Sequence, residues 1–242
     1  MPPLDLETRE ENLASPDKET IRKFFDSIAF RYDQINHLLS FFLDERWRRK
    51  AVRLILENPS QEKTILDLGV GTGKFLKGFA KKRSWQRAVG VDFAWEMLER
   101  ARTHLPAGCD LVRADIHDLP FENESFDLVV SSFTLRSVKD RPHFFGEVRR
   151  ILKEGGKAGF LCLTRPTSFL TRALYAPYLK IYLPFVGKLL SKEPQAYHFL
   201  SQSIQTFPSP QENAGVLRSL GFRKVSIHAF TFGVATLLIA QK

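Results

Sequence analysis

The sequence predicts an α/β fold: a doubly wound parallel sheet that ends in an antiparallel hairpin. Three observations predict it. Short apolar runs bounded by turn residues recur through the middle of the chain, the pattern of parallel strands buried on both faces. Segments with helical apolar spacing lie between those runs, as alternating strand and helix require. Near the C-terminus two strand-like runs follow one another with only about two residues between them, which reads as a hairpin.

The elements come in order. Two or three short helical patterns open the chain, one of them spanning Asp44 to Glu57. The first strand is Thr64-Ile65-Leu66-Asp67-Leu68, running into glycines, and the second is Arg87 to Asp92. A third strand precedes Arg113-Ala114-Asp115, and Phe126 to Ser132 and Ala158 to Leu163 supply two more. Between them, Ala94, Met97, Leu98, Ala101 and Leu105 keep i, i+3/i+4 spacing, as do Phe144, Phe145, Val148, Ile151 and Leu152. The latter helix is expected to open at Asp140 as N-cap and to close at Gly155-Gly156. Lys224–Phe230 and Gly233–Ala240 form the hairpin, so at least one strand should be antiparallel.

The chain has 242 residues, enough for one large domain or one domain with an elaboration. Its two cysteines, Cys109 and Cys162, form no CxxC pair, which excludes a disulfide scaffold and a zinc ribbon. Pro2, Pro3, Asp5 and Glu7 are the reverse of a secretion signal, and the uncharged run Phe232–Ala240 is too short to span a bilayer. An intracellular protein is therefore expected. Thirty-six Lys and Arg against 27 Asp and Glu give a net charge of +9. Residues 1–20 carry −4, which leaves the rest of the chain at +13. Residues 1–16 are expected to be a mobile tail, and residues 17–242 one domain.

The sharpest local signal is Asp67-Leu68-Gly69-Val70-Gly71-Thr72-Gly73. Its glycines let the backbone turn out of a strand and approach a ligand closely. The spacing is GxGxG, not GxGxxG, and Lys74-Phe75 replaces the ending of a P-loop. Asp92 ends the second strand, where a carboxylate can accept from both hydroxyls of a ribose. Asp115, beside Ile116, follows the third strand, where it can accept from an adenine amine. Three acids at successive strand ends point to one adenosine-cofactor crevice.

These residues resemble a class I S-adenosylmethionine-dependent methyltransferase, a Rossmann-like seven-stranded fold whose last strand is reversed. The resemblance implies that Asp67 lies near the methionine moiety of the cofactor, with Gly69, Gly71, Thr72, Gly73 and Ser132 among the cofactor-binding residues. Asp92 would hold the ribose, and Asp115 with Ile116, Phe93 and Met97 the adenine. Further segments narrow the resemblance: Arg31-Tyr32-Asp33, Asn36, Leu39-Ser40-Phe41, Trp47-Arg48, Ser132-Phe133-Thr134-Leu135-Arg136, and Tyr197, Leu200, Ser203-Ile204 with Phe207-Pro208. They are similar to the quinone-ring C-methyltransferases of menaquinone and ubiquinone biosynthesis, the UbiE type. Three positions depart from that pattern: Lys74 replaces an acid after the loop, Cys162 replaces an acid in the fifth strand, and Ser137 replaces an asparagine.

The resemblance implies methylation of a reduced polyprenyl quinone ring, demethylmenaquinol foremost. A ring carbon becomes nucleophilic when a neighbouring hydroxyl loses its proton, so a cation beside that oxygen helps. Arg136 is the expected cation and Tyr32 its neighbour, with Asp33 a candidate base. Phe133, Tyr178, Tyr197 and His198 complete the expected substrate contacts; an ion pair with Asp140 or Glu147 is the competing reading of Arg136. No His or Cys has ligand spacing, so no metal is expected. Residues 17–60 would be N-terminal helices and 165–209 a helical lid. Within it, residues 165–192 carry five bases and no acid among many aromatics, which suits an anionic membrane surface. Peripheral association at the inner face of the membrane is therefore expected, and the resemblance implies a homodimer. Nucleic acid is not, because Ser131-Ser132-Phe133-Thr134 lacks the Pro-Pro-aromatic or Pro-Cys of base-modifying enzymes. Two rival readings are methylation of another lipophilic molecule or a phospholipid headgroup, and a non-catalytic cofactor-binding scaffold.

Overall fold

The apolar runs form strands in the places their patterning predicts. The computed structural model describes residues 32–57, 62–166, 171, 177, 178, 182, 203 and 206–242. The expected tail and most of the expected lid, with Tyr197 and His198, lie outside them; of Tyr32 only the backbone is described. Two helices come first, α1 (Tyr32–Leu39) and α2 (Leu43–Ile55). Then follow β1 (Thr64–Leu68), α3 (Lys74–Ala80), β2 (Arg87–Asp92), α4 (Trp95–His104), β3 (Cys109–Arg113) and β4 (Phe126–Ser132). The chain continues through α5 (Arg141–Ile151), β5 (Leu152–Leu163), α6 (Pro210–Ser219), β6 (Arg223–Phe230) and β7 (Ala235–Gln241).

The seven strands pair in the order β3-β2-β1-β4-β5-β7-β6. Pairs among β1 to β5 are parallel, whereas β7 runs antiparallel to both β5 and β6. The order reverses between β1 and β4, and the crevice outside their C-terminal ends is where such sheets bind ligands. One face of the sheet packs Leu66, Val89 and Val129 with Phe144, Phe145, Phe160 and Leu217. The other packs Ile65, Leu128 and Val130 with Trp47, Ile55, Phe75, Phe79 and Phe230. Burying each such ring stabilises the fold by roughly 1.5–3 kcal/mol.

Helix starts follow local chemistry. Asp140 caps α5, its Oδ1 accepting from the His143 N–H at 2.9 Å. Ser209 and Glu212 form a reciprocal capping box on α6, with Pro210 in its first turn. Two expectations need correction. Gly155-Gly156 does not close α5: that helix ends at Ile151, and Leu152 is already extended and paired with Phe126. The glycines instead form an irregularity inside β5, Gly155 at φ +75°, where the register with β4 shifts. A glycine pair after a helical pattern fits a C-cap equally well, which is why the sequence misleads there. The hairpin connection is also longer than two residues, because Thr231–Gly233 forms a 3-10 turn between β6 and β7.

Candidate active site

The glycine loop leaves β1 with Gly69, Gly71 and Gly73 all at positive φ, +67°, +53° and +82°. Its Val70 N–H donates to the Val91 carbonyl of β2 at 2.8 Å. A Cβ on Gly71 would meet nothing within 4 Å, so the loop faces open space there. Asp92 braces the turn from the end of β2: its carboxylate accepts from the Gly71 N–H (2.8 Å) and from the Ala94 N–H (3.0 Å).

Asp67 is buried in β1. Its Oδ2 accepts from the Leu76 N–H of α3 at 3.1 Å, while Oδ1 is buried with no hydrogen-bond partner among the described residues. Burial pushes its carboxyl up to about 8, against the opposing pull of that N–H and of the Arg48 charge. Asp115 lies two residues past β3 and takes both the N–H and the Nδ1 of His117, at 2.9 and 2.8 Å. Ile116 is half-buried beside it, Met97 is fully buried in α4, and Phe93 is half-buried between Asp92 and that helix.

The loop after β4 supplies the facing wall. Phe133 turns out of the strand at φ +61°, its N–H held by the Leu161 carbonyl at 2.7 Å. The Trp47 ring meets Phe133 edge-on at 6.3 Å, and the Arg48 guanidinium lies 4.8 Å over it. Arg136 follows in a single 3-10 turn, and its Nη1 donates to the buried Ser203 Oγ at 3.1 Å. The competing acids are engaged elsewhere: Asp140 caps α5 and Glu147 holds Arg150 at 2.8 Å. Burial lifts the Cys162 thiol to about 12, with Arg136 pulling the other way.

Asp33 reaches the glycine loop from α1, where its Oδ1 accepts from the Thr72 hydroxyl at 2.9 Å and lies 3.4 Å from Lys74 Nζ. Lys74 also contacts His37 Nε2 at 2.7 Å and Glu45 at 3.9 Å. On its other side His37 meets Asp44, whose second oxygen holds Arg48. Tyr178 stacks with Tyr182 and lies tilted against Phe41, beside the turn between α1 and α2. The structure thus brings Asp33, Thr72, Asp67, Asp92, Phe133 and Arg136 onto elements around one crevice. Sequence reasoning gave no role to Lys74, His37 or Arg48. The charge reversal at Lys74 was the visible signal, and its partners are the physical answer to it.

The model of the ubiE/COQ5 methyltransferase family matches residues 13–242. The chain belongs to that family. The demethylmenaquinone methyltransferase of Thermotoga maritima is 38% identical over 226 residues, 93% of this chain and 96% of that one. The ubiquinone/menaquinone biosynthesis C-methyltransferase UbiE of Geotalea daltonii is 36% identical, covering 93% and 97%. Among solved structures, a SAM-dependent methyltransferase from T. maritima superposes with a TM-score of 0.65 at 22% identity, over 90% of this chain and 98% of that one. Phosphoethanolamine N-methyltransferase 2 of Haemonchus contortus, solved with S-adenosyl-L-methionine, gives 0.58 at 17% identity, over 81% and 52%. The crevice of this ubiE/COQ5 methyltransferase suits that cofactor. It offers open space beside Gly71, an unpartnered buried oxygen on Asp67, and carboxylates at the ends of two neighbouring strands.

Proposed function

We propose that the protein methylates a ring carbon of a reduced polyprenyl quinone, demethylmenaquinol, in quinone biosynthesis. The observation that carries the reading is the near full-length similarity to demethylmenaquinone methyltransferases, 34–38% identical over at least 93% of the chain. S-adenosylmethionine, when bound, supplies an electrophilic methyl group on a sulfonium. The residues proposed to hold it are Asp67, Gly69, Gly71, Thr72, Gly73 and Ser132 at the methionine end and Asp92 at the ribose. Asp115, Ile116, Phe93 and Met97 serve the adenine.

The substrate ring is assigned to Phe133, Tyr32, Tyr178, Tyr197, His198 and Arg136. Arg136 cannot take a proton at neutral pH; its charge favours the phenolate form of the quinol, which loads electron density onto the reacting carbon. Tyr32 orients the ring hydroxyl, and Asp33 accepts the proton that the ring carbon sheds. The walls formed by Phe133 and Trp47 exclude water from the site. No described helix is long and apolar enough to cross a membrane. The protein is proposed to work as a homodimer, checked by sedimentation equilibrium, at the inner face of an anionic membrane.

The test is incubation with labelled S-adenosylmethionine and a panel of reduced quinols differing in the ring. Label is expected in demethylnaphthoquinols, with Arg136→Ala lowering the rate by about 10²–10⁴-fold. Absence of label from every demethylated naphthoquinol and benzoquinol would overturn the reading. Asp92→Asn is expected to weaken cofactor binding about 10–100-fold, the worth of one charge-assisted hydrogen bond. Unchanged affinity by calorimetry would remove Asp92 from the ribose.

A further inference from the structure

Helix α2 has two unlike sides. The inner side buries Ala51, Val52 and Ile55 in the core and carries Trp47 and Arg48, which wall the crevice through Phe133. On the outer side Arg46, Arg49, Lys50 and Arg53 are all exposed. Their i, i+3, i+4, i+7 spacing gathers them within an arc of about 100° of one helix. The acids of the same helix are committed elsewhere: Asp44 is buried against His37 and Arg48, and Glu45 faces His37 and Lys74.

Exposed rings stand at the margins of this basic stripe. Phe41 and Phe42, 58% and 67% exposed, sit immediately before α2, and Phe232, 83% exposed, is beside it. The last is placed by two contacts from α2: Trp47 Nε1 donates to Thr231 Oγ1 at 2.8 Å, and Lys50 Nζ lies 4.8 Å over the Phe230 ring. All three residues have positive φ, +51°, +61° and +56°. That backbone costs a residue with a side chain roughly 1 kcal/mol or more, and a ring left almost wholly in water, as that of Phe232 is, forgoes roughly 1.5–3 kcal/mol of burial. Strained, exposed aromatics bordering four bases fit a surface that is apolar a few ångströms down and negatively charged on top.

We propose that the outer face of α2, with Phe41, Phe42 and Phe232, docks on an anionic lipid bilayer. The rings enter the boundary between headgroups and acyl chains, and the four bases meet lipid phosphates. The proposal goes beyond the quinol reading and rests on it only for its purpose. Because the helix that carries the docking face also carries Trp47 and Arg48 against Phe133, a polyprenyl quinol leaving the bilayer at this face enters beside the reacting site.

The experiment is co-sedimentation of the full chain with vesicles of phosphatidylcholine alone or with phosphatidylglycerol added. Wild type and two variants are compared, Phe232→Ser and the triple Arg46→Glu/Arg49→Glu/Arg53→Glu. Wild type is expected to bind the mixed vesicles and to leave the neutral ones. The triple variant should lose on the order of 100-fold or more, at about 1 kcal/mol per base near the surface. Phe232→Ser should bind several-fold more weakly at any salt concentration. Equal binding of all three proteins, or equal binding to neutral vesicles, overturns the proposal. So does a wild-type dimer that both variants dissolve without any change in vesicle binding, since the face would then join two copies. Tighter binding to duplex DNA, indifferent to Phe232→Ser, also overturns it. Methylation of a short-chain quinol in solution is measured on the same proteins and should be unchanged. Failure there in wild type counts against the quinol reading and leaves the vesicle result standing.

Discussion

A single carboxylate shows how the site strains the fold. Asp67 is buried at the end of β1 with one oxygen bonded to α3 and the other unpartnered among the described residues. Desolvation dominates and holds its carboxyl up near 8. A raised carboxyl means that the folded protein keeps a proton that the unfolded chain has already released. Its contribution to stability is therefore full below the ordinary carboxylate value of 3.8 and is lost as pH rises toward 8. The loss is about 1.4 kcal/mol per pH unit across that window. Asp67→Asn carries no such proton. Unfolding midpoints of the cofactor-free protein at pH 5, 6, 7 and 8 should fall for wild type and stay flatter for the variant. Parallel curves would show that Asp67 is ionised in the fold. Cofactor bearing positive charge near Asp67 should lower its pKa and release a proton on binding, which calorimetry in two buffers of different ionisation enthalpy would register.

At the scale of elements, β1 is fixed at its other end by Asp127 of β4. One oxygen of that carboxylate accepts from the N–H groups of Lys63 and Thr64 and from the Thr64 hydroxyl, at 2.9, 2.8 and 2.8 Å. The other accepts from Lys153 Nζ at 2.9 Å, and together these bonds hold the carboxyl down to about 2. A depressed carboxyl stabilises the fold above 3.8, and that contribution is lost as pH falls through 2. Asp127→Ala is expected to cost about 2 kcal/mol at neutral pH and less at pH 2 to 3, read from urea midpoints. A cost independent of pH would refute the assigned bonding. Strands such as β1 and β4 were legible because burial on both faces leaves a local apolar run. The junction of α5 with β5 was not, since Gly155-Gly156 satisfies two local rules and only pairing with β4 chooses between them. The site was half legible for the same reason. The glycine loop and strand-end acids are local patterns. The bonds Asp33–Thr72, Lys74–His37 and Arg136–Ser203 join positions 39, 37 and 67 residues apart, and no local pattern encodes them.

For the whole molecule, two of those distant bonds, Asp33–Thr72 and Lys74–His37, tie α1 to the α/β body. Helix α1 has eight residues, too few to persist without tertiary contacts. Its described ties to the α/β body converge on the glycine loop and on Lys74, which lies among Asp33, His37 and Glu45. A base at this position thus links the segment bearing Tyr32 to the glycine loop. Lys74→Glu would set a third carboxylate against Asp33 and Glu45, and like charges at such separations repel. The expected outcome is faster amide exchange across residues 32–39 with the sheet amides still protected, together with weaker cofactor binding. Adding Glu45→Lys should restore part of both, because it returns a cation to the same cluster. If residues 32–39 exchange at the wild-type rate in Lys74→Glu, α1 is held by something other than this cluster. The sign change at Lys74 would then be a surface substitution without consequence for the site.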